Sequence, residues 1–141
     1  MAIDRIVVGV DGSMNSLQAV EFAAEMAAAA DAEVVAVHAL GLLEHIDGDE
    51  VVPAYPNRHE IERRFHSDWT APLDGTGLRV RRILRDGEAS SVVLAVAEEE
   101  SADLIVVGKR GLGNVTLQLL GSTSTKVSLG SKVPVVVVPM R

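Results

Sequence analysis

Residues 5–10 read Arg5-Ile6-Val7-Val8-Gly9-Val10 and run straight into Asp11-Gly12-Ser13. The first piece is a strand-sized run of branched apolar residues; the second is a turn signal ending in a hydroxyl able to cap a helix. From Ser13 to Ala30 the apolar residues Leu17, Val20, Ala24, Ala27 and Ala28 recur at three- and four-residue spacing, which predicts an amphipathic helix. A strand-turn-helix unit therefore opens the chain. Because its strand is nearly continuous in apolar character, both faces must be covered, the habit of parallel strands with helices above and below.

Similar runs recur at 33–39, 103–107 and 133–138. A further strand is predicted at 78–84, where Arg79, Arg81 and Arg82 interrupt the apolar residues and mark a sheet edge protected by charge. Residues 87–100 predict a helix, with Ser90 or Ser91 near its start, Val92, Leu94, Ala95 and Val96 as its apolar content, and Glu98-Glu99-Glu100 as a solvated face. Another is predicted from Ser122 to near Gly130, weak in propensity because of its Ser and Thr content. Glycines and prolines punctuate 41–77, which reads as a long connection carrying a helix over about 58–69. This element order is that of a doubly wound α/β domain, a single domain over residues 1–141.

Composition fits that reading. The chain is 48% apolar and 23% charged but only 3% aromatic, so its core must be built from Val, Leu, Ile and Ala. The net charge of −7 argues against nucleic acid or an anionic membrane as partner, and the absence of cysteine excludes disulfides and thiol catalysis. The apolar run near the amino terminus is too short for a signal peptide, and no membrane-spanning stretch is present, which predicts a cytoplasmic protein.

The chemistry concentrates in Val107-Gly-Lys-Arg-Gly-Leu-Gly-Asn-Val-Thr-Leu-Gln-Leu-Leu-Gly-Ser-Thr-Ser124, between a predicted strand and a predicted helix. Glycines allow close backbone approach, and the free N–H groups at a helix start form an anion site to which Ser122, Thr123 and Ser124 add hydroxyls. A phosphate chain fits that description. The P-loop pattern fails, since Asn114 and Val115 stand where Lys and Ser or Thr are needed; the dinucleotide fingerprint fails at Thr116. The spacing that does hold is Gly108, two residues, Gly111, nine residues, Gly121-Ser122.

With that spacing the sequence resembles the ATP-binding branch of the universal stress protein family. Ile6-Val-Val-Gly-Val-Asp-Gly-Ser13, Val34-Val-Ala-Val-His38, Asp86-Gly-Glu-Ala89 and Ala102-Asp-Leu-Ile-Val-Val-Gly108 look like its other landmarks; only 41–77 lacks a match. The resemblance implies an open parallel five-stranded sheet in the order 3-2-1-4-5, with the ligand at the carboxyl ends where the winding reverses. It implies that Asp11 meets the ribose, that Val10 and Ala39 lie beside the adenine, and that Gly9 and Val107 contribute to the same site. Gly108, Arg110 and Gly111 would line one side of the phosphates and Gly121, Ser122, Thr123 and Ser124 the other. It further implies ATP with Mg²⁺ on its phosphates, a regulatory role in stress response, and a homodimer through Val135–Val138, an all-valine edge that needs a cover.

Simpler roles stand beside these. Asp11 before Gly12 reads equally as a turn residue closing on its own backbone. Lys109 reads as a solvent-exposed loop charge, and Arg110 as either that or a phosphate contact. His38, inside an apolar strand, reads as a hydrogen-bonded structural residue. His59, Glu62 and His66 share a helix face and read as solvated, while Trp69 and Tyr55 pack the crossover or lid the nucleotide. No residue is an evident base, so slow ATP hydrolysis or phosphoryl transfer is the enzymatic alternative; a nucleotide-free dimeric module is the other.

Overall fold

The computed structural model describes residues 2–40, 43–47, 50–53, 58–110 and 121–141. In chain order they form β1 (Arg5–Gly9), α1 (Met14–Ala30), β2 (Glu33–Leu40), β3 (Leu43–Asp47), β4 (Glu50–Pro53), α2 (Arg58–Phe65), a 3-10 segment (Asp68–Leu73), β5 (Val80–Asp86), α3 (Ala89–Glu99), β6 (Leu104–Gly108), α4 (Ser122–Gly130) and β7 (Val135–Val138). Five strands make one sheet in the order β5-β2-β1-β6-β7, and every neighbouring pair is parallel. Counted along the chain, that is 3-2-1-4-5, as expected.

Successive strand residues point to opposite faces, so the continuous valine runs feed two cores. Ile6, Val8, Val34, Ala36 and Val106 pack with α1, Phe65 and Leu73 on one face. Val7, Val35, Val37, Ile105 and Val107 pack with α3 and Val127 of α4 on the other. Each such side chain, fully buried, contributes about 1.5–3 kcal/mol relative to exposure.

Two helices differ from expectation in detail. The buried stripe of α1 is Ser16, Ala19, Val20, Ala23 and Ala27, whereas Leu17 and Ala24 are half-buried and Ala28 is exposed. Small residues let this helix lie close on the sheet, which is why the larger Leu17 turns aside. Its start is as predicted: Ser13 Oγ accepts from the Ser16 amide at 3.1 Å. In α3 the cap is not Ser90 or Ser91 but Glu88, whose carboxylate accepts from the amides of both serines at 3.1 and 3.0 Å. Those bonds, with the Ser90 hydroxyl first among them, hold the Glu88 carboxyl at a pKa of about 2. The buried face of α3 is Val92, Val93, Val96 and Ala97; Leu94 is half-buried and Ala95 exposed.

The crossover holds an element the sequence reading misses, the antiparallel ribbon of β3 and β4. The helix expected over 58–69 breaks after Phe65, and a 3-10 segment containing Pro72 follows. Tyr55 lies outside the described residues. His59, Glu62 and His66 are all exposed.

The two sheet edges are β5 and β7. On β5 and just before it the arginines act as expected: Arg79 donates to Asp31 O, Arg81 pairs with Glu33 and Glu100, and Arg82 with Asp74. Among the described residues no helix is long and apolar enough to cross a membrane.

Candidate functional site

At their carboxyl ends β1 and β6 are neighbours, yet the chain leaves them toward opposite faces of the sheet, into α1 from one and toward α4 from the other. A crevice must open there. It is lined by Gly9, Val10, Asp11 and Ser16; by Val37 and Ala39 of β2; by Ala89 and Val93 of α3; and by Val107, Gly108, Arg110, Gly121, Ser122, Thr123 and Ser124. Every residue expected at the site is gathered in one place except Gly111, which lies outside the described residues.

The first wall is the turn from β1 into α1. Asp11 Oδ1 accepts from the Ser13 amide at 2.9 Å, and the Asp11 amide donates to Ser16 Oγ at 3.0 Å. The turn role of Asp11 is therefore real, and its second carboxylate oxygen carries no hydrogen bond among the described residues. Gly12 has φ +84°, and a Cβ there would stand 2.6 Å from the Trp69 ring, so no other residue fits the turn. Trp69 thus packs against this turn, edge-on to His38 at 5.1 Å between ring centres. His38 Nδ1 bonds Val10 O at 2.6 Å, and burial holds the imidazole below its ordinary pKa, the structural role expected of it.

Asn15, which the sequence reading passes over, is the pin of this wall. It is fully buried. Its Oδ1 accepts from the Arg110 amide at 2.9 Å, and its Nδ2 donates to Val138 O at 3.0 Å and to Gln18 Oε1 at 3.3 Å. One side chain thereby joins α1, the loop after β6 and the end of β7. No periodicity signal finds it; the only hint is an amide one residue into a helix that otherwise turns small apolar groups inward.

The second wall corrects two expectations. Gly108 is not glycine to admit a ligand: a Cβ there would stand 3.0 Å from both Cγ and the backbone oxygen of Asn15, so the close approach is to α1. Ser124 does not offer its hydroxyl to the crevice. That group is buried and directed at Lys109 O (2.9 Å) and Gly121 O (3.1 Å), clamping the start of α4 to the end of β6. The Gly121 amide closes the same clamp on Lys109 O at 2.7 Å. What the wall leaves available is the start of α4, where Gly121 stands at the cap with no side-chain hydrogen bond, and the guanidinium of Arg110. Arg110 Nε is buried without a hydrogen-bond partner among the described residues. A half-buried cationic side chain and an uncapped helix start lining one crevice form an anion-binding arrangement.

Comparison with known proteins gives the same architecture. The sequence profile of the Universal stress protein family matches residues 2–139. The universal stress protein Rv1636 of Mycobacterium tuberculosis is 34% identical, with 97% of each chain covered. Among solved structures, a universal stress protein in complex with cAMP is 28% identical at a TM-score of 0.76, covering 99% of this chain and 98% of its own. The universal stress protein from Archaeoglobus fulgidus in complex with dAMP is 25% identical at a TM-score of 0.70, covering 97% and 98%.

Proposed function

The chain belongs to the universal stress protein family, and from that premise we propose that it is a homodimeric cytoplasmic regulator in stress response that binds an adenine nucleotide, ATP with Mg²⁺, in the crevice between β1 and β6. The observation that carries this reading is Arg110, which lines the crevice and whose Nε is buried without a hydrogen-bond partner among the described residues. An ionised donor left in that state costs at least about 1–3 kcal/mol, and a phosphate oxygen removes the cost. The start of α4 supplies further N–H donors at Ser122 and Thr123. Adenine lies against Val10 and Ala39, and the ribose meets Asp11. Among the described residues no three acidic or histidine side chains gather to hold a cation, so the metal travels on the phosphates and neutralises their charge.

Asp11 is engaged in its own turn, so the residues of this site bind and orient, and any hydrolysis is slow. A second reading has its own support: the 28% identical neighbour bound to cAMP favours a cyclic monophosphate held by the same arginine. Calorimetry with ATP, ADP, AMP and cAMP separates the two by rank of affinity. Chromatography of the supernatant from freshly denatured protein tests for bound nucleotide. Binding of none of the four, with no nucleotide released, sinks the proposal; multiple turnovers to ADP replace it with an enzymatic one.

The dimer is proposed through β7. Pro134 O and Val138 O accept from β6, so by alternation the backbone groups of Val135 and Val137 face outward from the edge. Val137→Pro removes an outward N–H without breaking the internal ladder. The expected outcome is a folded monomer by light scattering; an unchanged dimer refutes this pairing.

A further inference from the structure

Arg110 has a second neighbour that the nucleotide reading does not use. Its Nη2 donates to Met140 Sδ at 3.4 Å, and Met140 is 43% exposed. The tail that carries Met140 is held on both sides. Val138 O accepts from the Lys109 amide at 2.8 Å and from Asn15 Nδ2 at 3.0 Å, and the Arg141 amide donates to Gln18 Oε1 at 3.2 Å. The thioether is therefore kept beside the guanidinium by backbone anchors, on a residue that is 43% exposed.

Resting on the nucleotide reading above, we propose that Met140 is an oxidation site that sets the availability of Arg110 to the nucleotide. The sulfur lone pair attacks one oxygen of hydrogen peroxide: an S–O bond forms, the O–O bond breaks, sulfur is oxidised by two electrons, and the second oxygen leaves as water after taking a proton. A thioether is a weak acceptor for an N–H, but the sulfoxide oxygen is a strong and dipolar one. Placed on a sulfur already in contact with Nη2, it forms a charge-assisted hydrogen bond with the guanidinium, about twice as strong as a neutral one. The cation is then held to the carboxyl-terminal tail and drawn from the crevice, and affinity for the phosphates falls. Methionine sulfoxide reductases reverse the change. Met14, 65% exposed at the start of α1, meets the same oxidant and serves as the internal control.

The test uses the full chain treated with hydrogen peroxide, with peptide mass spectrometry to score Met140 and Met14, and calorimetry with ATP and cAMP. Oxidised wild type and Met14→Leu should both lose about tenfold in affinity, the value of one charge-assisted hydrogen bond, and a reductase should restore it. Met140→Leu should bind equally before and after peroxide. Unchanged affinity with Met140 fully oxidised overturns the proposal alone, as does an equal loss in Met140→Leu. Untreated protein that binds neither nucleotide overturns the functional reading with it.

Discussion

The two walls of the crevice are built on opposite plans. On the side of β1 and α1 the polar groups are engaged within the protein: Asp11 through one carboxylate oxygen with Ser13, Ser16 with Asp11, and Asn15 with three partners. On the side of β6 and α4 the clamp formed by Ser124 and Lys109 is equally complete, but Arg110 Nε is left without a hydrogen-bond partner among the described residues. One wall is framework and the other holds the reactive surplus. Conformational order is thus provided largely by Asn15 and Ser16, which the nucleotide reading does not use, and Asn15 joins the walls by fixing the Arg110 amide.

This contrast is open to attack, most severely at Asn15. Asn15→Leu keeps the branched shape but leaves the Arg110 amide without its acceptor and Val138 O without a donor, and should cost about 2–4 kcal/mol in chemical denaturation. Nucleotide affinity should fall with it. Gly108→Ala presses a methyl group onto Asn15 at 3.0 Å and should cost about 1–3 kcal/mol. Arg110→Gln should do the reverse: stability raised by about 1 kcal/mol as the unpartnered charged donor is removed, with affinity for the nucleotide reduced at least about tenfold by calorimetry. If Arg110→Gln unfolds the protein while Asn15→Leu is silent, the assignment of framework and surplus is inverted.

The smallest effect belongs to Glu88, which caps α3 one residue before Ala89 of the crevice lining. Glu88→Ala should cost about 1 kcal/mol, the value of a helix cap. The folded carboxyl titrates near 2, below its ordinary 4.5. The cap therefore contributes fully above pH 4.5 and is lost as pH falls toward 2. Denaturation of wild type and Glu88→Ala should accordingly converge through that window.

The parallel strands are legible in the sequence because unbroken valine runs point to strands buried on both faces, whereas the sheet order and the location of the crevice follow from the resemblance that the Gly108, Gly111, Gly121-Ser122 spacing carries. The roles within the crevice are less legible. Asn15 and Ser16 sit in a helical pattern whose apolar members draw attention elsewhere, and their partners lie as far away as Val138. Gly108 reads as a ligand-facing glycine because close approach to a helix and close approach to a ligand leave the same residue in the sequence. The β3–β4 ribbon does carry a signal, the Gly48-Asp49 dipeptide between Asp47 and its partner Glu50, but the surrounding prolines and glycines mask it. Glu88 as a cap is hidden by the two serines beside it, which are the commoner choice.

Gly12 has a consequence that is optical. The chain has one tryptophan, Trp69, and its ring lies so close to Gly12 that no side chain fits between them. Asp11 is the next residue. The indole emission of the whole protein therefore originates beside the turn that carries Asp11, with the His38 imidazole edge-on to it. Filling the crevice or moving the turn should shift that emission with no label attached, so the protein carries its own fluorophore for following ligand entry in real time.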